Sequence, residues 1–260
     1  MMCRTLLLLT LASFPALSQG FTDPPTFIRL IRSWTRPAAA DLIRPYADAK
    51  AQIPVLGLTS ISGLPESWLV EMHDSFASVE DLDQALAPGA LAGITGSPGA
   101  FDQDGYSSSR VLIALHQPNY GYRADQAVRN MPKSRYFHVS IYRIRPGAES
   151  GFAEMVRLRR QGYDSINLDR PEIAYRVMSG DTSGTYIFIS PLPSLRMMDN
   201  GLAKSPAYIE AMSESGTRKI AADTVLTREN ILLRLQPAMS YVDDTFAESD
   251  APFWRGKPAR

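Results

Sequence analysis

Apolar and polar residues alternate from Thr26 to Trp34, and then the spacing lengthens. Leu42, Ile43, Tyr46, Ala49 and Ile53 fall on one helical stripe. The pattern predicts a strand followed by a helix. Two further strands are predicted from Val55 to Ile61 and from Ser67 to Asp74, joined by the turn residues Ser62 to Glu66. Ser78 is placed to cap a helix whose apolar positions are Val79, Leu82, Ala85 and Leu86. A Gly-, Pro- and Ser-rich stretch, Ala87 to Ser107, then reads as a loop before a fourth strand, Arg110 to His116. The order is β-α-β-β-α-β.

The pattern then restarts. Phe137 to Ile144 reads as a strand and Ala148 to Ile166 as a helix, with Phe152, Met155, Val156, Leu158 and Tyr163 apolar. Ile173 to Met178 and Thr185 to Ser190 are strands around the turn Ser179 to Gly184. Ser194 caps a helix to Ala203, Ser205 to Ala222 reads as an added helix with Pro206 in its first turn, and Ile231 to Leu235 is the last strand. Three local matches support an internal duplication: Arg36-Pro37 with Arg145-Pro146, Ser78 to Ala87 with Ser194 to Ala203, and Gln117-Pro118 with Gln236-Pro237. Repeats are expected over residues 25–122 and 134–241, followed by a flexible tail over 243–260.

Each unit predicts a ferredoxin-like sheet with two helices on one face, so this is an α+β chain. The other face of each sheet needs a cover, and packing the two together gives a single-chain α/β barrel. Here the chain resembles the dimeric α/β-barrel superfamily in its fused, two-copy form. The matching features are the strand ending Arg145, Pro146, Gly147 and the strand running from Trp68 through Glu71 and His73 to Asp74. It is most similar to the NIPSNAP and stress-responsive barrel branches. The resemblance implies the fold. For function it implies a range: oxygenases, haem enzymes, isomerases and plain binding modules.

Composition narrows the setting. Arg4, the apolar run Leu6 to Ala12 and the small residues Ala16 and Ser18 read as a signal peptide over residues 1–18, cleaved before Gln19. That implies a periplasmic or extracellular protein. No other apolar run is long enough to span a bilayer. Cys3 is the sole cysteine and precedes the apolar run, so the exported chain would lack thiols and disulfides. Lys and Arg balance Asp and Glu at 27 each, which gives no electrostatic reason to expect nucleic acid. Apolar residues at 45% are enough for a packed core.

Strand parity suggests where chemistry could sit. If Ile28, Leu30, Phe137, Val139, Val70 and Met72 face the helices, the barrel side holds Arg29, Glu71, His73, His138, Ser140 and Tyr142. Arg29 and Glu71 are the natural ion pair, since first and third strands are neighbours in this fold. Two readings remain open. One is an exported barrel that binds a small molecule or a protein partner, with these residues structural and a second copy of the chain among the partners. The other is a cofactor-independent oxygenase, with haem as a variant, in which His73 or His138 is the base and Arg29, Glu71, Ser140 and Tyr142 bind the ligand. Three widely spaced histidines make no zinc signature. Arg157, Arg159 and Arg160 read as a solvated helix face.

Overall fold

The computed structural model describes residues 23–34, 39–91, 109–214 and 217–256. The expected signal segment and most of the loop from Ala87 to Ser107 lie outside them, as does the Arg36-Pro37 marker.

Eight antiparallel strands close into one barrel: β1 (Phe27–Ser33), β2 (Val55–Ser60), β3 (Ser67–His73), β4 (Ser109–His116), β5 (Tyr136–Ile144), β6 (Ile173–Ser179), β7 (Thr185–Leu192) and β8 (Val225–Leu235). Their order around the barrel is β1-β3-β2-β8-β5-β7-β6-β4. Each half therefore arranges its strands as fourth, first, third, second. The seams between halves are β2 with β8 and β4 with β6.

The helices lie outside: α1 (Ala39–Asp48), α2 (Phe76–Ala85), α3 (Ala124–Asn130), α4 (Glu149–Ser165), α5 (Arg196–Ala203), α6 (Ser205–Glu214) and α7 (Thr217–Thr224). α3 joins the halves and was not legible in the pattern. The added helix predicted over 205–222 is two helices, α6 and α7. β8 begins six residues earlier than its apolar alternation, because Thr227 to Asn230 pair with β5 although their side chains are exposed. Ser75, not Ser78, caps α2; its side chain accepts from the Ser78 amide.

The barrel interior is a single apolar core drawn from every strand. Ile28, Leu30, Leu56, Trp68, Val70, Leu112, Val139, Tyr175, Ile187 and Leu233 all belong to it. Arg32 closes one end, bonded to Glu66 and Glu229 and lying 4.9 Å over the Trp68 ring. The other end is covered by Val128 and Met131 and by the C-terminal segment. In place of the expected flexible tail, residues Asp244–Glu248 (α8) and Ala251–Arg255 (α9) are helical. Phe246 is buried in the core, Trp254 Nε1 donates to the Pro132 carbonyl at 2.7 Å, and Arg135 pairs with Asp250. The Pro237–Met239 turn that precedes this segment lies directly on β2. A Cβ at Gly57 would come within 2.1 Å of the Met239 carbonyl oxygen, so only glycine allows the approach.

Candidate functional site

The polar groups singled out in the sequence do not face the barrel interior. They lie on its outer, helix-covered side. The expected parity was inverted: Ile28, Leu30, Val70, Met72, Phe137 and Val139 point inward, while Arg29, Glu71, His73, His138, Ser140 and Tyr142 point outward. The reason is physical. β1 and β3 are buried on both faces, so a period of two separates the faces without saying which is which. A closed eight-stranded barrel has room for side chains and little water, so it takes the apolar set. The cavity left inside is about 20 Å³, lined by residues such as Leu58, Met72, Phe137 and Ile189. That is the room of roughly one water, in walls that offer it no partner.

Two polar clusters sit between sheet and helices. In the first, Arg29 and Glu71 lie opposite each other on β1 and β3, as the sequence pairing required. Arg29 donates through Nε and Nη2 to Glu71 and through Nη1 to Asp83 of α2. Tyr46 of α1 donates to Glu71 Oε1 at 2.6 Å. His73 Nε2 lies 3.3 Å from Glu71 Oε2 and His73 Nδ1 lies 2.8 Å from Ser78 Oγ. Glu71, His73 and Tyr46 have no exposed surface. Burial works to raise the Glu71 pKa, but hydrogen bonds from His73, Arg29 and Tyr46 and the Arg29 charge outweigh it, holding the carboxyl below its ordinary range. Burial and the adjacent Glu71 charge push the Tyr46 phenol up. Every group here is engaged by another.

The second cluster is built differently. On β5, His138, Ser140 and Tyr142 face outward. Arg170, from the turn after α4, donates to His138 Nδ1. A guanidinium can only donate, so Nδ1 is the acceptor and the imidazole proton sits on Nε2. Burial, then the charges of Arg170 and Arg228, push His138 down to about 3. Ser140 Oγ donates to Asn230 Oδ1 at 2.8 Å. Arg228 of β8 lies 5.0 Å from the Tyr142 ring centre. Arg159 of α4, read as part of a solvated face, is buried against Glu172 and lies 4.3 Å from the Phe188 ring centre. Arg157 is exposed as expected. The Nε groups of Arg159 and Arg170 are buried without an acceptor among the described residues.

The geometry bears on the chemistry each residue can do. Three of the five Arg29 N–H groups go to Glu71 and Asp83, and those two carboxylates offset its charge. His73 is enclosed, with both ring nitrogens engaged. His138 holds its proton on Nε2 and is a weak base. Haem, the variant that the resemblance implied, does not fit these residues. A ligating histidine usually donates its second N–H to a carboxylate or carbonyl, which strengthens it as a ligand. His138 instead accepts from a cation on that nitrogen, and a 20 Å³ cavity is far too small for a porphyrin. Among the described residues no group of three His, Cys, Asp or Glu side chains could hold a metal ion.

Sequence reasoning missed Tyr46, Asp83, Arg170 and Glu172. Tyr46 and Asp83 were legible as helix positions, one turn-aligned with Leu42 and the other next to Leu82. Their role appears only when the outward face of β1 and β3 is known.

No protein-family model and no curated protein matches the chain. Similar solved structures do exist. A candidate monooxygenase from Fusobacterium nucleatum subsp. nucleatum superposes with a TM-score of 0.51 at 8% identity, over 82% of this chain and 93% of that one. A candidate monooxygenase from Lactobacillus acidophilus gives 0.46 at 12% identity, over 84% and 100%. A chlorite dismutase variant from Candidatus Nitrospira defluvii gives 0.46 at 9%, over 86% and 95%. The fold is that of the ferredoxin-like α/β barrels. At such identities the likeness concerns architecture alone. Among the described residues no helix is long and apolar enough to cross a membrane.

Proposed function

We propose that this chain is an exported α/β-barrel protein that binds a small molecule or a protein partner and is not an enzyme. One observation carries the reading. The residues an oxygenase site would need are already bonded to one another, and the barrel interior has no space for a substrate. An acid–base catalyst needs a group free to exchange protons with substrate; His73 is enclosed and His138 is poor in basicity. The name of the Fusobacterium neighbour favours the oxygenase alternative, but at 8% identity only through the fold.

The same reading takes the two halves as copies of one unit, in the manner of the NIPSNAP and stress-responsive barrels. The equal strand order in the halves and the matched Arg-Pro and Gln-Pro positions support it. Export rests on the signal-like run before Gln19.

The test is direct. The purified protein is titrated with haem, and dioxygen uptake is followed with a hydroquinone. The expected result is no Soret shift and no uptake. A Soret shift lost in His73→Ala or His138→Ala, or turnover of the quinol, would overturn the reading. Export is tested by the mass of the secreted chain, expected to begin at Gln19; retention of the uncut chain in the cytoplasm would refute it.

A further inference from the structure

Resting on the binding-protein reading, we infer that the outer face of β5 and β8 is a receptor for an oxyanion, a carboxylate or phosphate group, held by Arg170, His138, Asn230 and Arg228. The argument is one of donors without acceptors. Arg170 and Arg228 make no ion pair among the described residues. Glu172, two residues along the chain from Arg170, is committed to Arg159, and Glu229 points to the other face of the sheet, where it binds Arg32. His138 spends its lone pair on Arg170, so what it can present is the Nε2–H. Asn230 accepts from Ser140 through Oδ1, which leaves its amide N–H groups to donate outward. Arg170 Nε is buried with no acceptor. An unpaired buried donor is costly in a folded protein and is ordinarily satisfied by a ligand or water.

Four donor groups and two net positive charges on one stretch of sheet select an anion. A cation offers these donors no acceptor, and a neutral ligand would leave the two positive charges unbalanced. The face is also reachable: His138 and Arg170 are half-buried, Asn230 and Arg228 are exposed. The first half cannot serve in this way. Its guanidinium, Arg29, already has two carboxylates.

The test follows the His138 imidazole signals by NMR during titration with inorganic phosphate and, separately, with benzoate, using choline as the cationic control. One or both anions should bind, and which arm responds tells phosphate from carboxylate. Binding should weaken by about tenfold or more in Arg170→Gln and in Arg228→Gln. The His138 pKa should rise towards its ordinary 6.5 when the anion is bound. If Arg170→Gln does not fold, Arg228→Gln still decides, because the Arg228 side chain is exposed and makes no ion pair among the described residues. The inference falls if neither anion moves the His138 signals, or if binding is unchanged in Arg228→Gln. A different ligand binding elsewhere, with His138 silent, sinks the anion site and spares the binding-protein reading. Haem-dependent absorbance or quinol turnover sinks that reading whatever the anions do.

Discussion

On β1 and β3 a guanidinium, a carboxylate and an imidazole meet under two helices, and those helices complete the set: α1 contributes Tyr46, and α2 contributes Ser78 and Asp83. On β5 and β8 an imidazole lies under the charges of two guanidinium groups, and among the described residues neither guanidinium is in an ion pair. The strand positions are comparable, because Arg29 and His138 both lie early in the first strand of their half. The helix layers are not. The difference teaches that the fold supplies a polar shelf in each half, and that the covering helices decide whether the shelf becomes a structural clamp or an open set of donors. A buried pair of the first kind is weak evidence for stability by itself, yet breaking it is severe.

The comparison can be broken from its strongest side. Glu71→Gln leaves Arg29 buried with a single, exposed carboxylate partner, Asp83, and removes the shared acceptor of Tyr46 and His73. Urea unfolding should show a loss of about 3–5 kcal/mol. A loss below that range would mean that the cluster is wetter than its burial indicates.

Acid separates the clusters next. His138 is neutral in the folded protein down to about 3 and titrates at 6.5 when unfolded, so its contribution is complete above pH 6.5 and is lost as pH falls towards 3. Glu71 has a lowered pKa, so its contribution is present above the ordinary 4.5 and is lost as pH falls below that. Stability of the wild type should therefore begin to fall below pH 6.5. His138→Phe should fall less steeply over this range, the remaining slope belonging to His116, whose pKa burial also lowers. A wild-type profile that is level between pH 6.5 and 5 would contradict the assignment of Nε2–H.

His73→Gln should cost about 1–3 kcal/mol, because Ser78 and Glu71 each lose a buried partner. The smallest effect is expected at Arg228→Gln, within about 0.5 kcal/mol and with a gain the expected sign, since it removes a charge beside Arg170. A clear loss there would show that Arg228 has a structural acid partner, and would erase the contrast between the halves.

Much of this was legible before the structure. Turn residues and spacing located the eight strands, and the neighbourhood of first and third strands in a ferredoxin-like unit correctly paired Arg29 with Glu71. The side of the sheet was not legible. Ile31 and Leu69 pack outward against Leu42, Tyr46 and Leu82 as firmly as Leu30 and Val70 pack inward, so both faces of these strands read as apolar. Nor did the sequence separate Arg159 from Arg157. Only the packing of α4 on β7 turns the first under cover and leaves the second in water. Had Arg29, Glu71 and His73 faced inward opposite His138, Ser140 and Tyr142, the two halves would have lined the interior unequally. The interior is apolar except at the end that Arg32 and Glu66 close, and the contrast between the two polar clusters lies outside it.

The seam between β2 and β8 has a consequence for how the molecule is made. Thr59 bonds Gln236 across 177 positions of sequence, and Tyr241 bridges back to Val55. β2 therefore waits, one edge open, until Gln236 and Tyr241 have emerged, and the ring cannot shut before then during vectorial synthesis. With so many distant contacts folding should be slow, and Phe246 and Trp254, which emerge after β8, cover one end of the ring. A chain arrested before Asp243 should remain a sticky, unsealed ring, and its rescue should depend on supplying that last segment.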